Sequence, residues 1–375
     1  MKELALLFLK LGTIAFGGPA AHIAMMEDEV VRRRKWISQE HFLDLLGATN
    51  LIPGPNSTEM AIHIGYLRAG WKGLVLAGLC FILPAISITL VLAHLYVTYG
   101  TLPQLQPFIG GIRPAIIAVI LASILRLSKP VVKNPFIITV GILVVILNLI
   151  GLDEILLLLS SGIAGLLWKI RRRFFQMNAL LSVFAVPAIG MPILSESASN
   201  GATLTALGLF FLKIGSVLYG SGYVLVAFLR GGLVETRLWL TETQLLDAIA
   251  AGQFTPGPVL TTATFVGYLI LGIPGAAVAT LGIFLPSFIF VLIISRFIPK
   301  LRKSPLASGF LDGVNAASLG LMLAVTVVLA ESTLIAPVSW IILVLSALAM
   351  IIWNLNAGWI VLGSAALGWL LSLFI

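Results

Sequence analysis

The chain has 375 residues, of which 59% are hydrophobic and 10% are charged, and its mean hydropathy is +1.09. Because soluble domains carry about a quarter charged residues, this composition excludes a soluble protein and predicts an all-α polytopic membrane protein embedded in a lipid bilayer. The net charge of +8 lies in short cationic runs between apolar segments, which is typical of cytoplasmic loops and does not indicate nucleic-acid binding.

The first apolar run covers residues 4–16 and resembles a signal peptide. The same pattern recurs inside the chain at 205–219, where no signal peptide could lie. We therefore predict that the first run is retained as a helix, which ends at a turn formed by Gly17 and Gly18.

The next apolar run is interrupted by Pro53, Gly54 and Pro55. Proline lacks an amide donor and clashes with the preceding helical turn, while glycine permits a sharp change of direction. A broken helix is tolerated in a membrane only where protein or a wet cavity satisfies its backbone, and paired half-helix ends form substrate sites in many transporters. The sequence therefore predicts a broken helix at a binding site. This helix is either re-entrant or spans the membrane.

Four more apolar segments complete the first half of the chain, and a proline-interrupted segment follows them. The four segments cover residues 71–99, 112–127, 136–150 and 155–168. The segment after them, at 174–194, is predicted to cross the membrane once. Some of these segments are shorter than the roughly 20 helical residues that span a bilayer.

The whole pattern is then repeated. Residues 8–12 (FLKLG) reappear 203 positions later as 211–215 (FLKIG), and the broken motif reappears as Pro256, Gly257 and Pro258. After this second motif the register continues at 202 residues. The sequence thus predicts two homologous repeats, at 1–172 and 203–375, joined by a linker at 173–202.

Loop charges predict that the two repeats have inverted topology. In the first half, cations follow the fourth and sixth apolar segments: Arg126, Lys129, Lys133, Lys169, Arg171, Arg172 and Arg173. In the second half, they follow the third segment: Lys300, Arg302 and Lys303. Cations mark the cytoplasmic side, so equivalent loops of the two repeats face opposite sides of the membrane. This requires an odd number of membrane crossings between the repeats, and the linker can supply one. The basic cluster at 32–35 also lies inside if the broken segment is re-entrant.

Lys10 and Lys213 occupy the same repeat position within apolar segments. A charge there costs several kcal/mol unless it is paired or hydrated. Two lysines near an inverted symmetry axis could bind one anionic substrate. The alternative is that each lysine extends to the membrane interface and anchors its helix.

The residues that flank each break are donor-capable and predict an anion site. A helix that restarts after a break presents unpaired amides and the positive end of its dipole. The flanking candidates are Asn50, Asn56 and Ser57 at the first break, and Gln253 and Thr261 at the second. The alternative is that the prolines only kink a packed helix.

Several further residues are candidates with open roles. The glycine turns at Gly17, Gly18, Gly220 and Ser221 could donate backbone amides or could be tight turns in helix packing. Asp44 and Asp247 match across the repeat and could balance the lysines or a loop arginine, or take part in coupling. Arg113 could be a loop cation or a substrate contact. Glu59, just past the first break, is the best candidate for a proton-coupling carboxylate.

Other chemistries find no support in the sequence. The single cysteine, Cys80, excludes intrachain disulfides and cysteine-based metal sites, and the four histidines lack metal-ligand spacing. Ser221 has no nearby base for nucleophilic catalysis, so we predict no enzymatic activity. No Walker motif is present to couple ATP, so transport is predicted to be secondary and to need no cofactor.

Taken together, these motifs resemble the chromate ion transporter family over essentially the whole chain, with both domains of its long members. The resemblance is carried by Phe16–Pro19 with Ala21 and His22, the basic run before Trp36, Pro53–Pro55, Gly65 with Tyr66, Gly70 and Pro84. It implies a cytoplasmic-membrane carrier that expels chromate, confers chromate resistance and is driven by ion gradients. By matching position, it marks the residues of both glycine turns and both breaks as functional candidates.

Three functions remain open at this point. We predict a secondary exporter of chromate or a related tetrahedral oxyanion, with the proton as a candidate coupling ion. The alternative is an uptake carrier or exchanger for sulfate or another anion, and the third option is a membrane-embedded enzyme or scaffold. The oligomeric state is left open, and a homodimer is compatible with the sequence.

Overall fold

The structure is a computed structural model that describes residues 1–15, 18–131, 135–175, 201–219, 222–295, 305–353 and 355–373. All regular elements in these residues are helical, and none of them forms a strand. The predicted all-α class is thus confirmed. The linker segment at 174–194 lies almost entirely outside the described residues.

The described residues of each half form seven α-helices in the same order. The first half comprises α1 (Lys2–Ile14), α2 (Pro19–Glu27), α3 (Gln39–Thr49), α4 (Asn56–Tyr99), α5 (Gln106–Val131), α6 (Pro135–Leu149) and α7 (Glu154–Phe175). The second half comprises α8 (Leu204–Val217), α9 (Leu225–Leu229), α10 (Glu242–Phe254), α11 (Thr262–Ile294), α12 (Pro305–Thr333), α13 (Pro337–Ile352) and α14 (Ala357–Ser372). A π-helical turn follows α2 and α9 alike, at Asp28–Arg33 and Arg230–Thr236.

The duplication read from the sequence extends to the backbone conformation. Lys35 and Leu238, at equivalent positions, both have positive φ values, of 52° and 56°. Side chains rarely adopt this conformation, so its recurrence shows that both halves follow one fold. Helices α3 and α10 also begin alike, since the hydroxyls of Ser38 and Thr241 accept a hydrogen bond from the backbone amide three residues on.

Helix α4 folds back on itself at Ala69 and Gly70, whose backbone angles are not helical. Gly65 and Gly73 then pack so closely that a Cβ on either would collide with the carbonyl oxygen of the other. The first leg, residues 56–68, is about 20 Å long at 1.5 Å per residue. This is shorter than the roughly 30 Å hydrocarbon core, so the first leg alone does not span it. Helix α11 folds back in the same way at Gly272.

Among the helices that the structure describes, four are long and apolar enough to cross a membrane. They cover Asn56–Tyr99, Gln106–Ser128, Val259–Ile293 and Leu306–Thr333. Shorter apolar helices, such as α6 and α13, pack around them. The described residues therefore have the composition of a multi-pass membrane protein.

The two halves interlock. Helix α5 packs on α13 and α14 of the second half, and α12 packs on α6 and α7 of the first. Helix α4 packs against its own equivalent, α11, and α5 against α12. Such reciprocal contacts are those of a two-fold relation between the halves. The orientation of that axis relative to the membrane, and hence the inverted topology, stays a prediction from the loop charges.

Candidate functional site

Both breaks are buried inside the protein. Helix α3 ends at Thr49 and α4 begins at Asn56, and the three residues of the first Pro-Gly-Pro motif between them are buried. The second motif, after α10, is equally buried. Gly54 has a φ of 142° and Gly257 a φ of 98°, which favour glycine over any other residue. The protein interior thus encloses the irregular backbone, as a membrane environment requires.

Each break is hydrogen-bonded to the end of the first helix of the opposite half. The amide of Gly54 donates to the carbonyl of Leu218, just after α8, at 2.7 Å. The amide of Gly257 donates to the carbonyl of Ala15, just after α1, at 3.1 Å. Donors and acceptors are both 203 positions apart, so these two bonds are one contact made twice. They bring both breaks and both first helices into one buried core.

The first break presents polar atoms that have no partner within the described structure. The hydroxyls of Ser57 and Thr58 are buried and unpaired, and both residues lie in the first turn of α4. The first amides of a helix also lack intrahelical partners. Burying an unsatisfied hydroxyl costs about 1–3 kcal/mol. The first turn of α4 is therefore built at a cost in stability that a bound anion would offset.

Glu59 lies in the same turn and is completely buried. Its Oε1 accepts a hydrogen bond from the hydroxyl of Ser287 on α11 at 3.4 Å, while its Oε2 has no partner. Among the described residues, no cation forms an ion pair with Glu59. Tyr219, which follows α8, interacts with it electrostatically. A buried carboxyl without a cation is a group that can exchange a proton when the charge around it changes.

The second break presents a different polar group. The side chain of Gln253 is buried, its Oε1 accepts a bond from the hydroxyl of Tyr223 at 3.2 Å, and its Nε2 donor is unpaired. The hydroxyl of Thr261, in contrast, donates to the carbonyl of Pro258 at 3.0 Å. The second break thus offers an amide donor where the first offers hydroxyls. The two breaks share a backbone but not a set of free polar atoms.

The other flanking candidates are paired with each other. The amide nitrogen of Asn56 donates to the side-chain oxygen of Asn50 at 2.7 Å, and Asn50 is exposed. This bond closes the loop that contains the first break. It leaves Asn50 at the edge of the buried core rather than within it.

Both lysines are exposed, whereas the free polar atoms of the breaks are buried. Lys10 forms an ion pair with Glu29 at 2.8 Å, and its side chain is 50% exposed. The hydrogen bond from Lys10 holds the pKa of the Glu29 carboxyl below its usual range, and Arg34 adds to this effect. Lys213 is also exposed. No structural contact links either lysine to a break among the described residues, so their role in binding stays a prediction.

Asp247 of the second half forms hydrogen bonds with two helices of the first half. Its carboxylate, on α10, forms two hydrogen bonds with the guanidinium of Arg113 on α5, both at 3.0 Å, and accepts a third from the hydroxyl of Tyr96 on α4 at 2.8 Å. The Asp247 side chain is 4% exposed. This pairing makes Asp247 a positioning residue between helices of both repeats, while the role of its mate Asp44 stays a prediction.

The glycine turns are described only in part. Gly17, Gly220 and Ser221 lie outside the described residues. Gly18 precedes α2 with a φ of 80°, and its carbonyl accepts the amide of His22 at 3.2 Å.

Two buried histidines lie near the breaks, and the sequence analysis gave neither of them a role there. His22 donates from Nε2 to the carbonyl of Ala15, the same carbonyl that binds Gly257, and its Nδ1 is unpaired. His63 lies one helical turn after Glu59, and its Nε2 is buried and unpaired. The spacing of four residues between Glu59 and His63 was visible in the sequence. Their common burial was not.

Comparison with known proteins identifies a family. A family model described as "Chromate transporter" matches residues 2–166 and 205–369. The chain is 33% identical to the chromate transport protein of Cupriavidus metallidurans, over 98% of this chain and 92% of that protein. It is 34% identical to the probable chromate transport protein of Synechococcus elongatus, over 89% and 86% of the two chains. The chromate transport protein of Pseudomonas aeruginosa is 33% identical over 87% and 80%. No solved structure matches the chain.

Proposed function

The chain belongs to the chromate transporter family, and from this premise we propose that it is a secondary active exporter of chromate, or of a related tetrahedral oxyanion, across the cytoplasmic membrane. The proposal rests most on one observation. The break of each repeat is hydrogen-bonded to the end of the first helix of the other repeat, and unpaired buried donors lie beside both breaks. Irregular backbone at membrane depth is tolerated where protein encloses it or where it lines a wet cavity.

The chemistry of the free atoms favours an oxyanion. The hydroxyls of Ser57 and Thr58, the first amides of α4 and the Nε2 of Gln253 are all donors. A cation carrier would surround its ion with carboxylates or carbonyl oxygens, whereas the first turn of α4 holds one carboxyl, Glu59, among these donors. Neutral donors and a helix dipole also bind a dianion without a fixed positive charge, which would hold it too tightly to release.

The membrane potential supplies a driving force for export. Moving one charge across 100 mV corresponds to about 2.3 kcal/mol, so a dianion leaving a negative interior gains about twice that. No nucleotide site is needed for this step. We propose Glu59 as the group that couples the oxyanion to a proton, since an ionised carboxylate beside the site would repel a dianion. A protonated Glu59 would not.

The inverted repeat provides the route. We propose that the two interlocked halves rock against each other, so that the breaks face first one side of the membrane and then the other. Introduced cysteines test this topology after the removal of Cys80. Substitutions at Lys129 and Lys303 should both resist a membrane-impermeant reagent applied outside, whereas one at Gln104 should react. Opposite labelling at Lys129 and Lys303 would mean that the halves are parallel.

Lys10 and Lys213 enter the proposal as contacts at the edge of the site. Their exposed, partly ion-paired positions fit a role in attracting the anion before it reaches the breaks. They equally fit an anchoring role, which the Lys213→Ala variant described below separates from binding.

Sulfate is the alternative cargo, since it shares the tetrahedral dianionic shape of chromate and neutral donors discriminate little between the two. The test uses inverted membrane vesicles with labelled chromate or sulfate, with and without a proton gradient. Uptake of chromate into these vesicles supports export, while a preference for sulfate, or transport only in right-side-out vesicles, supports the alternative. Transport of neither anion would refute both.

A further inference from the structure

A row of polar side chains, called the polar file below, runs from the first break to the end of α11. It consists of Glu59, His63, Ser287 and Ser295. Glu59 on α4 meets Ser287 on α11 at 3.4 Å. One turn further along α4, the Nδ1 of His63 meets the hydroxyl of Ser295 at 3.4 Å. Ser295 follows the last residue of α11 and is partly exposed. The file therefore starts at a fully buried carboxyl and ends at the protein surface.

The hydrogen-bonding pattern orients this file. The hydroxyl of Ser295 donates to the carbonyl of Val291, so the Nδ1 of His63 acts as the donor to Ser295. The Nε2 of His63 is then the acceptor, and it is buried without a partner. On an α-helix, residues four apart lie on one face, about 5–6 Å apart between Cβ atoms. The free Nε2 of His63 and the free Oε2 of Glu59 are thus neighbours across one turn.

The second repeat lacks this file. At the register of 202 residues, the four positions Glu59, His63, Ser287 and Ser295 become Thr261, Phe265, Ala85 and Ala93. The backbone around them is the same, since Gly257 approaches Ala85 as Gly54 approaches Ser287. Structural duplication alone does not explain why two buried titratable side chains of α4 face two serines of α11, while the equivalent positions hold none of these residues. The difference points to a task that only one of the two equivalent contacts between α4 and α11 performs.

We propose that Glu59, His63 and Ser295 form a proton relay between the oxyanion site and the membrane face at the C-terminal end of α11. This inference rests on the proposed function. The bond between Glu59 and its proton breaks as the Nε2 of His63 takes the proton, directly or through one water. His63 releases its Nδ1 proton to Ser295, whose hydroxyl proton passes to water. The negative charge left behind stays on Glu59 and prevents the released anion from rebinding, until a proton from the opposite side of the membrane restores Glu59. An anion that only exchanges leaves and is replaced while Glu59 keeps its proton.

The electrostatic surroundings of the relay are simple. Tyr219 from the segment after α8 faces Glu59, and Ser287 and Ser295 face the file from α11. Among the described residues no ion pair involves Glu59 or His63. The loop after α11 carries the cations that predict a cytoplasmic face. The relay therefore exchanges its proton with the cytoplasm.

The test compares two modes of transport by purified protein in liposomes. Chromate exchange, with chromate on both sides, needs no proton release from Glu59, whereas net chromate efflux does. His63→Gln is expected to lower net efflux, and the accompanying proton flux reported by an internal pH dye, by about tenfold or more, and to leave exchange unchanged. His94→Gln is the matched control, since His94 lies on the same helix and bonds to Tyr268 of α11 but is exposed.

A second variant and two measurements on the wild type complete the test. Ser295→Ala, at the partly exposed end of the file, should show the same selective loss and decides the matter if His63→Gln does not fold. Equal losses of exchange and net efflux in Ser295→Ala would refute the relay. Chromate efflux by the wild type without proton movement would also refute it. A wild type that carries no chromate in either mode would refute the proposed function itself.

Discussion

The glycine of the first break gives the sharpest test of the site. In Gly54→Ala, the new methyl group would overlap the hydroxyl of Ser287 and the carboxyl of Glu59, so these two groups must separate or the break must shift. Its φ of 142° adds strain whatever the space. Gly70→Ala is the matched control, because Gly70 has a φ of 58° but its Cβ would meet nothing within 4 Å.

The structure sets the size of the two effects. Backbone strain of this kind costs about 1–3 kcal/mol, and we expect both variants to lose that much stability. Overpacking adds about 1–3 kcal/mol in Gly54→Ala. If about 2 kcal/mol of this falls on the site, the ratio of correctly formed to distorted sites falls about thirtyfold. Gly257→Ala should lie between the two, since its Cβ would meet the Cβ of Ala85 at 3.1 Å and displace no polar group.

The assay combines thermal denaturation in detergent with chromate transport in liposomes, normalised to folded protein. We expect Gly70→Ala to melt earlier but to transport normally, and Gly54→Ala to melt earlier and lose transport. Equal normalised transport by the two variants would show that the contact between Gly54, Ser287 and Glu59 has no part in the site.

Three further substitutions separate binding, coupling and packing. Lys213→Ala should abolish transport in a protein that still inserts, and unchanged transport would assign both repeat lysines to anchoring. Glu59→Gln should keep chromate exchange but lose the proton movement that accompanies net efflux, and persistent proton movement would exclude Glu59 as the coupling group. Arg113→Ala leaves the buried carboxylate of Asp247 with the Tyr96 hydroxyl but without its cation, and should cost about 3–5 kcal/mol. Adding Asp247→Asn should recover part of the lost thermal stability, and no recovery would mean that the ion pair is not the cause.

Much of the fold followed from local chemistry. The duplication, the positions of both breaks and the long span that begins after Gly70 all depend on proline, glycine and apolar pattern, which act over a few residues. Composition alone predicted the membrane class. The interlocking of α5 with the helices of the other half depends on long-range packing, for which a single sequence carries no comparable signal.

The site was predictable in position but not in detail. Sequence reasoning located the polar residues beside each break, because the Pro-Gly-Pro motif itself is repeated in register and marks both places. It did not reveal that Lys10 has Glu29 as a partner, since 19 residues and a turn separate them. Nor did it reveal which polar atoms stay unpaired after folding. That property distinguishes Ser57 from Thr261, and it depends on the backbone conformation at each break.

The central claim is that both breaks form one oxyanion site, and equilibrium binding of labelled chromate to the purified protein tests it directly. The account predicts a single chromate per chain, and it predicts that Ser57→Ala at the first break and Gln253→Leu at the second each weaken that same binding event. Two chromates per chain, with each substitution removing only one of them, would contradict it.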